Sequence, residues 1–176
     1  VARTWATRAG LDPLLLGALF GLALWGLVLP GDRPLRRPPP GSFAGPLVIG
    51  VVFGLALVAL AWAGAAIGGL TILPGLGRPA APFLPWAVIT IVVASAEEAL
   101  LRGRLFTAVQ RAGGITAAVL VTALAFALMH VPLYGWTVVP LDLAVGIALG
   151  GLRLATRGVV APAAAHAVAD LATWWL

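Results

Sequence analysis

The sequence predicts an all-α fold, a polytopic membrane helix bundle of about six transmembrane helices. Three observations lead there. The 176 residues are 61% hydrophobic and only 10% charged, whereas a soluble domain is about a quarter charged. The mean hydropathy is +1.06. Apolar runs long enough to cross a bilayer recur along the chain, separated by short stretches rich in Pro, Gly and Arg. The length suits one compact membrane domain over residues 1–176. Within it, two accessory spans (1–82) precede a four-helix core (83–176).

The first span covers residues 11–30 and reads as a membrane helix, since neither a small-residue cleavage site nor a soluble domain follows it. Residues 31–41 form a loop, because Asp32, three arginines and Pro38-Pro39-Pro40 all oppose helix. Residues 44–73 form the second span, longer than a perpendicular crossing needs. Its Gly50, Gly54, Gly64 and Gly68 lie at the spacing that lets helices pack closely. A loop at 74–82 follows. The third segment runs as one helix from 83 to about 111, and Gly113-Gly114 turns the chain into a fourth, 115–132. Tyr134-Gly135-Trp136 reads as an interfacial turn. A fifth span at 140–154 and a sixth at 159–176 complete the bundle, the last ending in Trp174-Trp175.

Charge and composition exclude several classes. The net charge of +5 comes from arginine alone. Those arginines are scattered through loops, which suits topology signals and not a nucleic-acid-binding stripe. The chain has no Cys, hence no disulfide, thiolate ligand or cysteine nucleophile. Abundant Ala, Gly and Pro without lysine suggest a GC-rich bacterial source and the bacterial cytoplasmic membrane.

The informative residues are the few ionisable groups inside apolar segments, which are costly there unless used. Glu97 and Glu98 adjoin in the third segment, with Arg102 beyond. On a helix, Glu98 and Arg102 lie within about 40° of each other, and Glu97 lies about 140° from Arg102. Arg102 therefore neutralises Glu98 and leaves Glu97 free for chemistry. Glu97 and His130 each lie 16 residues from the Gly113-Gly114 turn. An antiparallel hairpin would bring them to one depth, about 24 Å from that turn. Phe126 shares the face of His130 and walls the pocket. His166 and Asp170, four apart, form a second pair in which the carboxylate would orient the imidazole. Asp142 sits near a helix start, where dipole capping accounts for it, and is left outside the site.

Glu97-Glu98-x-x-x-Arg102, Phe126-x-x-x-His130 and His166-x-x-x-Asp170, in that order and each in its own helix, resemble the three motifs of the CPBP intramembrane proteases. That family includes CAAX prenyl endopeptidases, the Abi bacteriocin-processing and immunity group, and proteins like the lysostaphin resistance protein. The resemblance covers roughly residues 83–176. It implies an intramembrane endopeptidase in which Glu97 and His130 activate a water against a peptide carbonyl, with Glu98, His166 and Asp170 completing the catalytic set. Arg102 and Phe126 give structural support. Many members carry Asn where this chain has Asp170. An ionised Asp cannot donate to an oxyanion, which favours orienting His166 or binding a cation. Glu97, His130, His166 and Asp170 make a plausible zinc set. The same groups could run metal-free acid-base hydrolysis.

The implied partners are the lipid bilayer and a CAAX-like or other membrane-associated peptide, with no nucleic acid. The competing reading is a non-catalytic immunity or scaffold membrane protein. A proton-coupled transporter is disfavoured by the small size and the lack of inverted repeats.

Overall fold

A computed structural model describes residues 10, 12–29, 43–68 and 81–175. The expected loop at 31–41, most of that at 74–82, and the end of the second span at 69–73 lie outside the described residues. Helix α1 is Pro13–Val28. Asp12 caps it, accepting the backbone N–H groups of Leu14 at 2.8 Å and Leu15 at 2.9 Å, while Pro13 suits the first helical position. Helix α2 is Ala44–Gly68 and α3 is Phe83–Glu98.

The chain does not continue from there as one α-helix, as the sequence suggests. Seven residues, Ala99–Leu105, form a π-helix, and α4 (Phe106–Tyr134) follows, broken at Gly114 with φ 82° and ψ −179°. That backbone conformation is accessible to glycine and strained for other residues. A single turn of 3₁₀ helix, Trp136–Val138, leads into α5 (Val139–Thr156). Helix α6 (Val160–Ala172) ends in a second 3₁₀ turn, Thr173–Trp175. The described residues contain no strand.

Helix α6 lies among α2, α3 and α5, while α1 packs on α3 and α4 on α5. Small residues set these contacts. A Cβ on Gly50 would come within 2.8 Å of Ala164 Cβ and 2.9 Å of Ala161 Cα, and one on Gly54 within 2.7 Å of the Ala165 carbonyl. Ala94, Ala118, Ala123, Ala161 and Ala165 are fully buried. Between helices in lipid, close backbone approach of this kind supplies the packing energy that a hydrophobic core supplies in water. Many large apolar side chains face outward as well: Leu60 is 70% exposed and Leu84 74%, as suits surfaces against acyl chains.

The registers also give direction. Gly17 meets Ile89 and Gly21 meets Val93, so α1 and α3 run parallel. Gly50 and Gly54 advance along α6 together, so α2 and α6 are parallel as well. Gly146 meets Ala123 and Gly150 meets Val119, so α4 and α5 are antiparallel. All three relations agree with a chain that alternates direction at each span.

By length and hydropathy alone, three helices qualify to cross a membrane: Ala44–Gly64, the 52-residue Phe83–Tyr134, and Trp136–Thr156. The described residues are all-helical, and the chain is an integral membrane protein. The expected number of about six crossings exceeds that count for local reasons. Phe83–Tyr134 is broken at Gly114, α1 has 16 residues, and α6 has 13 and carries His166 and Asp170.

Candidate active site

Glu97 and Glu98 close α3, and the π-helix starts at the next residue. Such i→i+5 turns are uncommon and recur at functional sites. Neighbouring side chains serve two carbonyls of this segment. Arg153 Nε donates to the Arg102 carbonyl at 3.0 Å, and Thr107 Oγ1 to that of Gly103 at 2.6 Å.

Glu98 and Arg102 are both completely buried, and Arg102 Nη1 donates to Glu98 Oε1 at 2.7 Å. Arg102 Nη2 reaches the Gly146 carbonyl on α5 at 3.1 Å, and the guanidinium lies 4.8 Å from the ring centre of Phe126 on α4. One cation thus ties the π-helix to two other helices.

Helix α6 brings His166 to the same carboxylate, with Nδ1 3.1 Å from Glu98 Oε1. An ionised carboxylate only accepts, so the Nδ1 proton is the donor. Nε2 then faces Glu97 Oε2 at 3.8 Å and Asp170 Oδ2 at 3.5 Å. Sequence spacing assigned the orienting role to Asp170. Glu98 holds that place, because it is buried and on the Nδ1 edge, whereas Asp170 is 44% exposed on the far edge.

The ring of Phe126 is buried and meets both imidazoles edge-on, at 4.6 Å from His130 and 5.2 Å from His166. It walls the space between them, as its shared face with His130 implies. His130, expected at the depth of Glu97, interacts with it electrostatically but makes its nearest polar contacts elsewhere. No ion pair joins the two among the described residues. The reason is the arrangement of helices: α3 packs chiefly on α1 and α6, and α6 sets His166 against Glu97.

His130 Nδ1 instead lies 3.3 Å from Asp142 Oδ2 and 3.1 Å from the Phe126 carbonyl. Its sequence position alone makes Asp142 a dipole cap outside the site. It does occupy the first turn of α5, and it also touches His130. The sequence carries a signal for this contact. The tight connection after Tyr134 makes α4 and α5 antiparallel neighbours, and His130 and Asp142 each lie six residues from Trp136.

Two carboxylates flank His166 Nε2, and Glu98 Oε2 is buried without a hydrogen-bond partner, which is cation-binding chemistry. Among the described residues, however, no three His, Asp or Glu groups gather where one ion could hold them. His130 is engaged by Asp142 on the α4–α5 side. The four residues expected to share a metal do not form a ligand cage as they stand.

Fold and site together define a membrane-embedded helical protein with a buried Glu–His–Arg cluster, a class that includes intramembrane proteases. The family model for type II CAAX prenyl endopeptidase Rce1-like proteins matches residues 79–172, more than half of the chain, and the protein belongs to that family. The matched segment takes in every site residue discussed above and leaves out α1 and α2. No curated protein and no solved structure matches the chain significantly.

Proposed function

We propose that the protein is an intramembrane endopeptidase, with Glu97 as the general base. The observation that carries this reading is the contrast between the adjacent carboxylates. Glu98 is held through Oε1 by both Arg102 and His166, while Glu97 is buried, has no arginine partner among the described residues and faces an imidazole edge. A carboxylate in that state is available to take a proton from water. The water is held between Glu97 and His130. As it attacks the peptide carbonyl carbon, its proton passes to Glu97 and the carbonyl oxygen becomes an oxyanion. The C–N bond then breaks, and the Glu97 carboxyl returns the proton to the departing amine. His166 and Asp170 border the reacting centre, and α3 to α6 form its core, with α1 and α2 as accessory spans.

The substrate class that fits is a CAAX-like or other membrane-associated peptide, in keeping with a family of CAAX prenyl endopeptidases. The composition suits a bacterial cytoplasmic membrane. The test is cleavage of prenylated and unprenylated peptides by purified protein in liposomes, with chelator and with added zinc as parallel arms. Cleavage by wild type and none by Glu97→Gln is the expected result. Binding without cleavage under every condition would favour the scaffold or immunity reading.

A further inference from the structure

Asp142 is an acid for which the reaction above has no use, and it stands beside a residue for which it has one. As a carboxylate in the first turn of α5 it gains from the helix dipole. That interaction sets no particular side-chain direction. Yet Oδ2 is shielded from solvent, makes no hydrogen bond of good geometry among the described residues, and lies at ion-pair distance, 3.3 Å, from His130 Nδ1. The same nitrogen is 3.1 Å from the Phe126 carbonyl oxygen. Both neighbours are acceptors only. A ring nitrogen facing two acceptors carries its proton, which is hydrogen-bonded to the Phe126 carbonyl with the Asp142 oxygen beside it. In the neutral ring the lone pair then resides on Nε2.

The Phe126 carbonyl alone would hold the ring weakly. It lies four residues before His130 in α4, where it also serves the helix's own i→i−4 bonding. The carboxylate from α5 is the second point that fixes the ring. The edge contact of Phe126 at 4.6 Å and the tilted ring of Tyr134 at 5.8 Å limit rotation further. Of the other charged groups near this imidazole, Glu97 and Asp170 act on it electrostatically, but neither lies within ion-pair distance of it.

We propose that Asp142 is the positioning residue of His130, holding it as the Nδ1–H tautomer so that Nε2 is the nitrogen presented to water or substrate. Asp142 touches no reacting atom and acts only through the imidazole. The catalytic consequence rests on His130's part in the reaction proposed above, whereas the tautomer does not.

The chain contains two histidines, so ¹⁵N-histidine labelling of the full protein in detergent yields two imidazoles, assigned with His130→Gln or His166→Gln. Wild type is expected to show His130 protonated at Nδ1 with a bare Nε2. Asp142→Ala should lose that signature, shifting to the other tautomer or to exchange between the two. Cleavage should fall about 10- to 100-fold, the usual effect of removing an outer partner of a functional histidine, and mainly in kcat. Asp142→Asn keeps an acceptor oxygen and should retain the Nδ1–H signature and much of the activity. If Asp142→Ala does not fold, Asp142→Asn against Asp142→Leu supplies the same comparison. A wild-type His130 protonated at Nε2, or a folded Asp142→Ala with unchanged spectrum, would overturn the proposal. An Nδ1–H spectrum in a protein that cleaves no peptide would leave the positioning intact and remove the protease reading.

Discussion

His166, from the last helix, turns Nδ1 toward Glu98 Oε1 at 3.1 Å, across 68 residues of sequence. The same oxygen receives Arg102 Nη1 at 2.7 Å, so one carboxylate oxygen joins α6 to the π-helix. The division of labour between the adjacent glutamates follows from this contact. Glu98 is taken up by two cationic or donor groups, and its neighbour is left to face the open edge of His166.

Removing Arg102 should therefore damage more than one helix contact. Arg102→Ala leaves Glu98 buried against His166 alone and removes the donor to the Gly146 carbonyl. Breaking one side of a buried pair costs about 3–5 kcal/mol. The expected outcome is poor yield and a lowered unfolding temperature in detergent. Arg102→Lys should recover only part of this, because one ammonium cannot reproduce a fork that reaches two acceptors. A normally expressed and fully active Arg102→Ala protein would show that the pair is incidental.

A second prediction concerns a glycine outside the polar cluster. Gly50 lies on α2, and a Cβ there would strike both Ala164 and the backbone of Ala161 on the helix that carries His166. Because backbone cannot swing aside as a side chain can, Gly50→Val must push α6 away. Overpacking of this kind costs about 1–3 kcal/mol. Thermal unfolding should shift down, and activity per folded molecule should drop although no site residue is altered. Gly26, with nothing near its Cβ position, is the control, and Gly26→Ala should leave both readouts unchanged. If Gly50→Val matched wild type, α2 and α6 could not be packed as closely as described.

The sequence made local relations legible and tertiary ones mostly not. The Glu98–Arg102 pair could be read because four residues on a helix fix it without knowledge of neighbouring helices. The helix boundaries were legible from glycine, proline and charge; α5, expected at 140–154, runs Val139–Thr156. The link between Glu98 and His166 was not, since it depends on α6 lying beside α3. The π-helix left no mark, because nothing in Ala99–Leu105 departs from ordinary helical composition. Depth counting relates Glu97 to His130, which act on each other electrostatically, but does not show that α6 sets His166 against Glu97. The same mirror counting about Trp136 would have found Asp142.

Topology supplies a third prediction. Arg104 donates to the Val28 carbonyl, and Arg153 to that of Arg102, so neither is a free loop charge. With Arg102 also buried, the connections after the first, third and fifth spans keep Arg33, Arg36, Arg37, Arg111 and Arg157, against Arg3, Arg8 and Arg78 on the other side. The arginine-rich side is expected in the cytoplasm. A reporter inserted after Arg157 should be active there, and one fused after residue 176 should not. The reverse pattern would invert the assignment.

The last prediction separates Glu97 from Glu98. Both are carboxylates at the end of α3, and both are nearly or fully shielded from solvent, at 6% and 0% exposure. Their surroundings differ in one decisive respect: Glu98 is paired with a buried arginine, and Glu97 is not. Replacing Glu98 by Gln strips Arg102 of its counter-charge and weakens the anchor of His166. The protein should lose stability and yield, with residual activity in whatever folds. Replacing Glu97 by Gln keeps the Glu98–Arg102 pair and the contact of His166 Nδ1 with Glu98. The Glu97→Gln protein should unfold at the wild-type temperature and cleave about 10²- to 10⁴-fold more slowly, the usual effect of losing a general base. Both variants should be measured in one detergent, for cleavage and for thermal unfolding. Equal losses of activity at equal stability would mean that the carboxylates share the chemistry, and that the arginine does not set Glu98 apart. A Glu97→Gln protein that cleaves at the wild-type rate would remove Glu97 as the base, and with it the mechanism proposed for this site.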